Sequence, residues 1–134
     1  MSRASESNQQ SVAVVGATGF VGSALLPALT AAGHRVIAVS RSGRSRPGWG
    51  PEVEARAADV VTGRGLDEAL DGADAVVHLV AIPRESKGRR FSEVNVRGTE
   101  RVVAAAERAG IRRFVHLSAL GVVDDPRLAY LHSK

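Results

Sequence analysis

The stretch that decides the fold is Val14-Val15-Gly16-Ala17-Thr18-Gly19-Phe20-Val21-Gly22. Its three glycines stand three residues apart. Ahead of them, residues 11–15 read Ser-Val-Ala-Val-Val, a short apolar run of the kind that forms a buried strand. Behind them, apolar and small residues over 20–32 fit a helix that Gly33 stops. Strand, glycine turn and helix in that order suit a dinucleotide diphosphate. Gly16 permits the tight turn out of the strand. Gly19 removes a Cβ that would collide with the diphosphate, and Gly22 lets the helix pack close on the sheet. The N–H groups and dipole of the new helix face the anion. Gly16, Thr18, Gly19, Phe20, Val21 and Gly22 are therefore candidate cofactor-binding residues, with the Thr18 hydroxyl as an added donor. No Lys-Ser or Lys-Thr pair is present, which excludes a P-loop. A glycine-rich turn with no ligand is the plain alternative.

Working outward, residues 35–39 form a second strand, 53–57 a weaker third, 75–80 a very apolar fourth and 113–117 a fifth. A proline-interrupted helix covers 20–32, with Pro27 inside it where a proline kinks a helix. A short helix covers 66–70. A long one runs from about 91 to 109, with Val94, Val102, Val103 and Ala106 as its apolar stripe and Gly110 as its stop. Residues 128–134 open another helix. The glycines and prolines over 40–52 mark a loop, as do 83–88 and 121–126. Residues 1–10 are polar and aperiodic, which reads as a disordered tail. Strands alternating with helices imply crossovers and a parallel sheet. The expected fold class is α/β, a doubly wound parallel sheet of about five strands in the order 3-2-1-4-5, over 11–134.

Composition narrows the function. The chain has 134 residues, a net charge of +4 and no cysteine, so disulfide scaffolds, thiolate metal sites and thiol nucleophiles are excluded. Its 44% hydrophobic and 24% charged residues are ordinary for a globular domain. No apolar stretch approaches the roughly 20 residues a bilayer needs, and the N-terminus lacks the apolar segment of a secretory signal. A soluble cytoplasmic protein is the expectation. Sixteen arginines and two lysines are spread over most of the chain, with aromatics at only 4%. Nucleic-acid binding would favour a cationic stripe with interleaved aromatics. A phosphorylated small molecule accounts for local arginines equally well. At the end of the second strand, Val39-Ser40-Arg41 offers no carboxylate for the ribose 2′-hydroxyl of NAD. Arg41 can pair with a 2′-phosphate and Ser40 can donate to it, which favours NADP over NAD. His78 and His116 lie within apolar strands with no metal-like cluster around them, so both read as core or strand-end histidines and no metal site is expected.

The motifs VVGATGFVG, AADV, VVHLVA, EVNVRGTERVV, RRFVHLSALGV and YLHSK together resemble an extended or atypical short-chain dehydrogenase/reductase over 11–134. The resemblance is to NmrA-like and complex I accessory-subunit-like NAD(P)-binding Rossmann proteins. It implies an NAD(P)-dependent oxidoreductase or epimerase with a small-molecule substrate. It also implies that Asp59 bonds the adenine amino group with Val60 beside it, that Leu79, Val80 and Ala81 line the cofactor, and that Asn95 supports the active site. Ser118 would be the catalytic hydroxyl, and Tyr130 and Lys134 the Tyr-x-x-x-Lys pair. Residues 118–120 read Ser-Ala-Leu, so a register one residue later puts Ala119 at the hydroxyl position.

The last pair has a physical logic of its own. Tyr130 is the sole tyrosine, and on a helix Lys134 shares its face. A nearby ammonium favours the phenolate, so the tyrosine can pass a proton to a carbonyl oxygen. The chain stops at Lys134, where the resemblance implies a further helix, strands and a substrate lobe. It is expected either as a fragment of a longer reductase or as a short form. The second form would be a non-catalytic NAD(P)-binding regulator or assembly module.

Overall fold

The computed structural model describes residues 8–134; most of the expected N-terminal tail, residues 1–7, lies outside them. In chain order the elements are β1 (Ser11–Val15), α1 (Phe20–Ala31), β2 (Arg35–Ser40), β3 (Val53–Ala57), α2 (Leu66–Leu70), β4 (Ala75–His78), a π-helical segment (Ser92–Arg97), α3 (Gly98–Arg108), β5 (Arg113–His116) and α4 (Ala129–Ser133). The five strands form one sheet in the order β3-β2-β1-β4-β5. Every pairing is parallel: Val14, for example, stands against Ala38 on one side and Val77 on the other. This is the doubly wound order expected from the alternation of elements.

Side chains alternate across the sheet, so each central strand supplies two cores. Ala13, Val15, Ile37, Val39 and Val76 point to the face covered by α2 and α3, where Leu66, Leu70, Val102 and Ala105 bury against them. Val12, Val14, Val36 and Ala38 point to the other face, under Leu26 of α1. That double burial explains why β1 and β2 read as continuous apolar runs. The helix α1 continues through Pro27, which lies on its exposed side. In α3, Val102, Ala105 and Ala106 are buried while Val103 is only half-buried, so the stripe is centred slightly off the expected one.

Several boundaries differ from expectation. The fourth strand ends at His78 and not at residue 80. Leu79 still donates to the Val15 carbonyl at 2.8 Å, but β1 turns away at Gly16 and leaves 80–81 without a ladder partner. The fifth strand likewise ends one residue early, and the second extends one further, to Ser40. The long helix is continuous over the expected span, but its opening turns are π-helical. No helix among the described residues is long and apolar enough to cross a membrane.

Two glycines of the deciding stretch are demanded by the fold itself. Gly16 has φ +93°, in the left-handed region where a side chain is strained. A Cβ on Gly22 would lie 2.5 Å from the Ala17 carbonyl oxygen, so α1 would be pushed off the turn beneath it. Gly22→Ala should therefore destabilise the fold by about 2–3 kcal/mol, the scale of an overpacked core. Urea denaturation checks this; a midpoint equal to the parent's would show that the helix has room to shift.

Candidate functional site

A cleft of about 400 Å³ opens at the carboxyl ends of β1, β2 and β4. That is the point where strand order reverses, the usual ligand crevice of such sheets. Its wall includes Gly16, Thr18 and Gly19 from the glycine turn, Ser40 and Arg41 at the end of β2, Asp59 and Val60 after β3, and Leu79, Val80 and Ala81 after β4. These four separate stretches of sequence, none adjacent in the chain, thus meet at one cavity.

The turn's backbone bonds decide which donors face the cleft. The Gly16 and Ala17 N–H groups both donate to the Val39 carbonyl, at 3.1 and 3.2 Å, and Gly19 N–H donates to Gly16 O at 3.2 Å. Ser23 N–H donates to Gly19 O at 2.9 Å. The N–H groups of Phe20, Val21 and Gly22 find no backbone acceptor among the described residues, as expected for the first turn of a helix. Phe20 is 96% exposed and, like Val21 and Gly22, lies outside the cleft lining. What these three residues can offer an anion is main chain, not side chain. From outside the cleft, the Arg46 guanidinium braces the turn by donating to Thr18 O at 3.2 Å.

Gly19 is different from its neighbours. Its φ of −77° and ψ of −178° suit any residue, and an added Cβ would meet only Gly16 O at an ordinary 3.5 Å. Nothing among the described residues requires glycine here, and Gly19 lines the cleft.

The other walls are prepared in detail. Ser40 Oγ accepts from Gly43 N–H at 3.1 Å, which leaves its own proton to donate. Asp59 Oδ1 accepts from Val61 N–H at 2.8 Å, while its second oxygen has no protein donor among the described residues. Asn95 is buried and outside the cleft lining. Its Oδ1 accepts from Ile82 N–H at 2.8 Å, and its Nδ2 donates to Ile82 O at 3.1 Å and to Ser133 Oγ at 3.0 Å. The π-helical segment that carries Asn95 thus ties the exit of β4 to α4.

The structure brings Ser118 and Lys134 together near the end of β5, while Tyr130 packs elsewhere, on Phe91. Lys134 Nζ donates to Leu117 O at 2.8 Å, and Ser118 Oγ donates to the Lys134 carbonyl at 3.3 Å. Partial burial holds the Lys134 ammonium below the ordinary lysine range. The Tyr130 ring packs against Phe91 at 5.9 Å between centroids. All three lie outside the cleft lining.

A sequence profile of the NAD dependent epimerase/dehydratase family matches residues 12–129. The chain belongs to this family. It is 34% identical over 121 residues to a 3-beta-hydroxysteroid dehydrogenase of Mycolicibacterium neoaurum, covering 84% of this chain and 32% of that protein. It is 35% identical over 124 residues to a ceramide reductase of Caulobacter vibrioides, covering 92% of this chain and 39% of that protein. The chain therefore spans about a third of the length of these curated relatives. Among solved structures, MoeE5 in complex with UDP-glucuronic acid and NAD superposes with a TM-score of 0.69 at 34% identity. That match covers 84% of this chain and 38% of MoeE5. The family is described as NAD dependent.

Sequence reasoning overlooked one part of this family member's cleft. Gly88 and Arg89 form part of the wall. Their only signal was a cationic cluster, Lys87, Arg89 and Arg90, soon after the apolar fourth strand. The histidines are strand-end residues, as read. His78 is 1% exposed, and its Nε2 lies 3.0 Å from Thr99 Oγ1. Thr99 spends its own proton on Asn95 O at 2.8 Å, so His78 must donate through Nε2–H. Its Nδ1 is then a buried lone pair with no partner among the described residues. Burial, with help from His116 and Lys134, pushes the His78 pKa down to about 4. His116 stacks on it at 5.6 Å between centroids and is itself shifted down, mainly by burial.

Proposed function

We propose that this chain is the cofactor-binding part of an NAD(P)-dependent oxidoreductase or epimerase, with NADP(H) as its preferred cofactor. The observation that carries the reading is Gly19: a glycine the chain does not need, facing a cleft that a dinucleotide does need. The free N–H groups at the start of α1 hold the diphosphate. Arg41 pairs with the 2′-phosphate, and the spare Ser40 proton joins it. The unengaged oxygen of Asp59 accepts from the adenine amino group, and Leu79, Val80 and Ala81 supply an apolar wall. The hydride chemistry would come from the bound nicotinamide. Tyr130 moves the proton at the substrate oxygen, Ser118 positions that oxygen, and Lys134 supports the tyrosine. Asn95 acts through its neighbours, by fixing Ile82 and α4. The names of the relatives, a dehydrogenase and a reductase, agree with this assignment.

Titration with NADPH and with NADH, read by calorimetry, tests it. Both should bind, NADPH more tightly. Arg41→Ala should weaken NADPH about tenfold, the value of one charge-assisted contact, and leave NADH within about twofold. No response to either cofactor would overturn the assignment. Equal losses for both in the variant would overturn the NADP preference.

A further inference from the structure

The segment between β4 and the π-helical turn is held at both ends. Asn95 fastens Ile82 at the near end. At the far end Glu85 Oε1 accepts from Phe91 N–H at 3.0 Å, and the Arg90 carbonyl accepts from Glu93 and Val94 at 3.2 and 3.0 Å. Between these anchors the chain makes a two-residue hairpin. Ser86 and Arg89 exchange both backbone hydrogen bonds, at 3.1 and 2.9 Å, and Gly88 takes φ +79° at the turn. Such turns need a left-handed residue, which is why glycine stands there. The hairpin brings Gly88 and Arg89 to the same cleft wall as Gly16, Thr18, Gly19 and Val80.

Arg89 is half-buried at that wall. Arginine side chains engaged elsewhere are Arg46, Arg56, Arg97, Arg101, Arg108 and Arg127. Arg89 has no such partner among the described residues. Asp59, the one carboxylate lining the cleft among the described residues, accepts from Val61 N–H. A partly desolvated guanidinium without an acceptor is costly, and an anion entering the cleft removes that cost. Arg41 sits after β2, beyond the glycine turn, and answers to a different phosphate.

We propose that Arg89, carried by this hairpin, is a second cationic contact of the cleft and binds the diphosphate shared by NADH and NADPH. The inference rests on the cofactor reading above and deepens it. A guanidinium fork at the diphosphate complements the backbone donors of α1, which carry only partial charge. Its effect is the same for both cofactors, unlike that of Arg41.

The test compares NADH and NADPH affinities for the parent chain, Arg89→Gln and Arg89→Lys across a salt series. Arg113→Gln, at the opposite end of the sheet, is the charge control. Arg89→Gln should weaken both cofactors about tenfold and flatten the salt dependence of binding; a change in packing alone would not alter that slope. Arg89→Lys should recover the salt dependence and part of the affinity. Arg113→Gln should match the parent. If the parent binds and Arg89→Gln binds as well as Arg113→Gln, the inference is overturned while the cofactor reading stands. A loss confined to NADPH would move Arg89 to the 2′-phosphate and overturn the diphosphate assignment. If the parent binds neither cofactor, the underlying reading fails first.

Discussion

Gly19→Val should abolish cofactor binding, by on the order of a hundredfold or more, while costing the fold less than about 1 kcal/mol. The backbone at Gly19 is already in a conformation valine adopts freely, and the nearest atom to a new Cβ is at ordinary contact distance. The helix loses only the modest advantage of glycine over a larger residue at its N-cap. The added methyl groups instead occupy the space in front of the free N–H groups of α1. A diphosphate then has to retreat from all three donors at once, and interactions of this kind do not survive an extra ångström. Calorimetric titration and urea denaturation on the same preparation separate the two quantities. Retained affinity in the valine variant would remove the diphosphate from this turn. Gly22→Ala is the mirror case, because its clash is with the chain's own carbonyl at Ala17.

Acid should weaken the fold well before its carboxylates titrate. The His78 pKa is about 4 in the folded chain, against an ordinary value of 6.5. The unfolded state therefore binds a proton that the folded state refuses. The stabilisation is complete above pH 6.5 and is lost as pH falls from there to about 4. The difference of 2.5 pH units corresponds to about 3 kcal/mol at the low end of that window. His116 is shifted in the same direction and adds to the slope. Glu54 and Asp125, held down mainly by their hydrogen bonds to Arg56 and Arg127, contribute only at lower pH. Denaturation midpoints from pH 7.5 to 4.5 measure the effect. His78→Gln, which keeps a donor for Thr99 but does not titrate, should flatten most of the decline. An undiminished slope in that variant would assign it to other groups.

What was legible in the sequence was local. The apolar run before Gly16, the glycine spacing and the β-branched second strand each specify their own conformation, and alternation then fixes the sheet order with no long-range information. Ser40 and Arg41 followed from their place at the end of the second strand, whereas Asp59 and Leu79–Ala81 came from the family resemblance; all sit at strand ends, which a parallel sheet brings together. Contacts between distant segments were not legible. The fourth strand was read two residues too long because its apolar character continues past His78, whereas its ladder depends on where β1 turns away. The π-helical opening of the long helix has the same residue types as an ordinary helix. Arg89 looked like any other loop arginine, since its approach to the cleft depends on a hairpin whose anchors are Glu85 and Asn95.

Asn95 has one more implication. Its side chain makes three hydrogen bonds, two to Ile82 at the exit of β4 and one to Ser133, the neighbour of Lys134. With both amide protons and the carbonyl oxygen committed, neither segment can be released singly without stranding a buried polar group. Opening of the strand exit is therefore expected to be coupled to opening of α4.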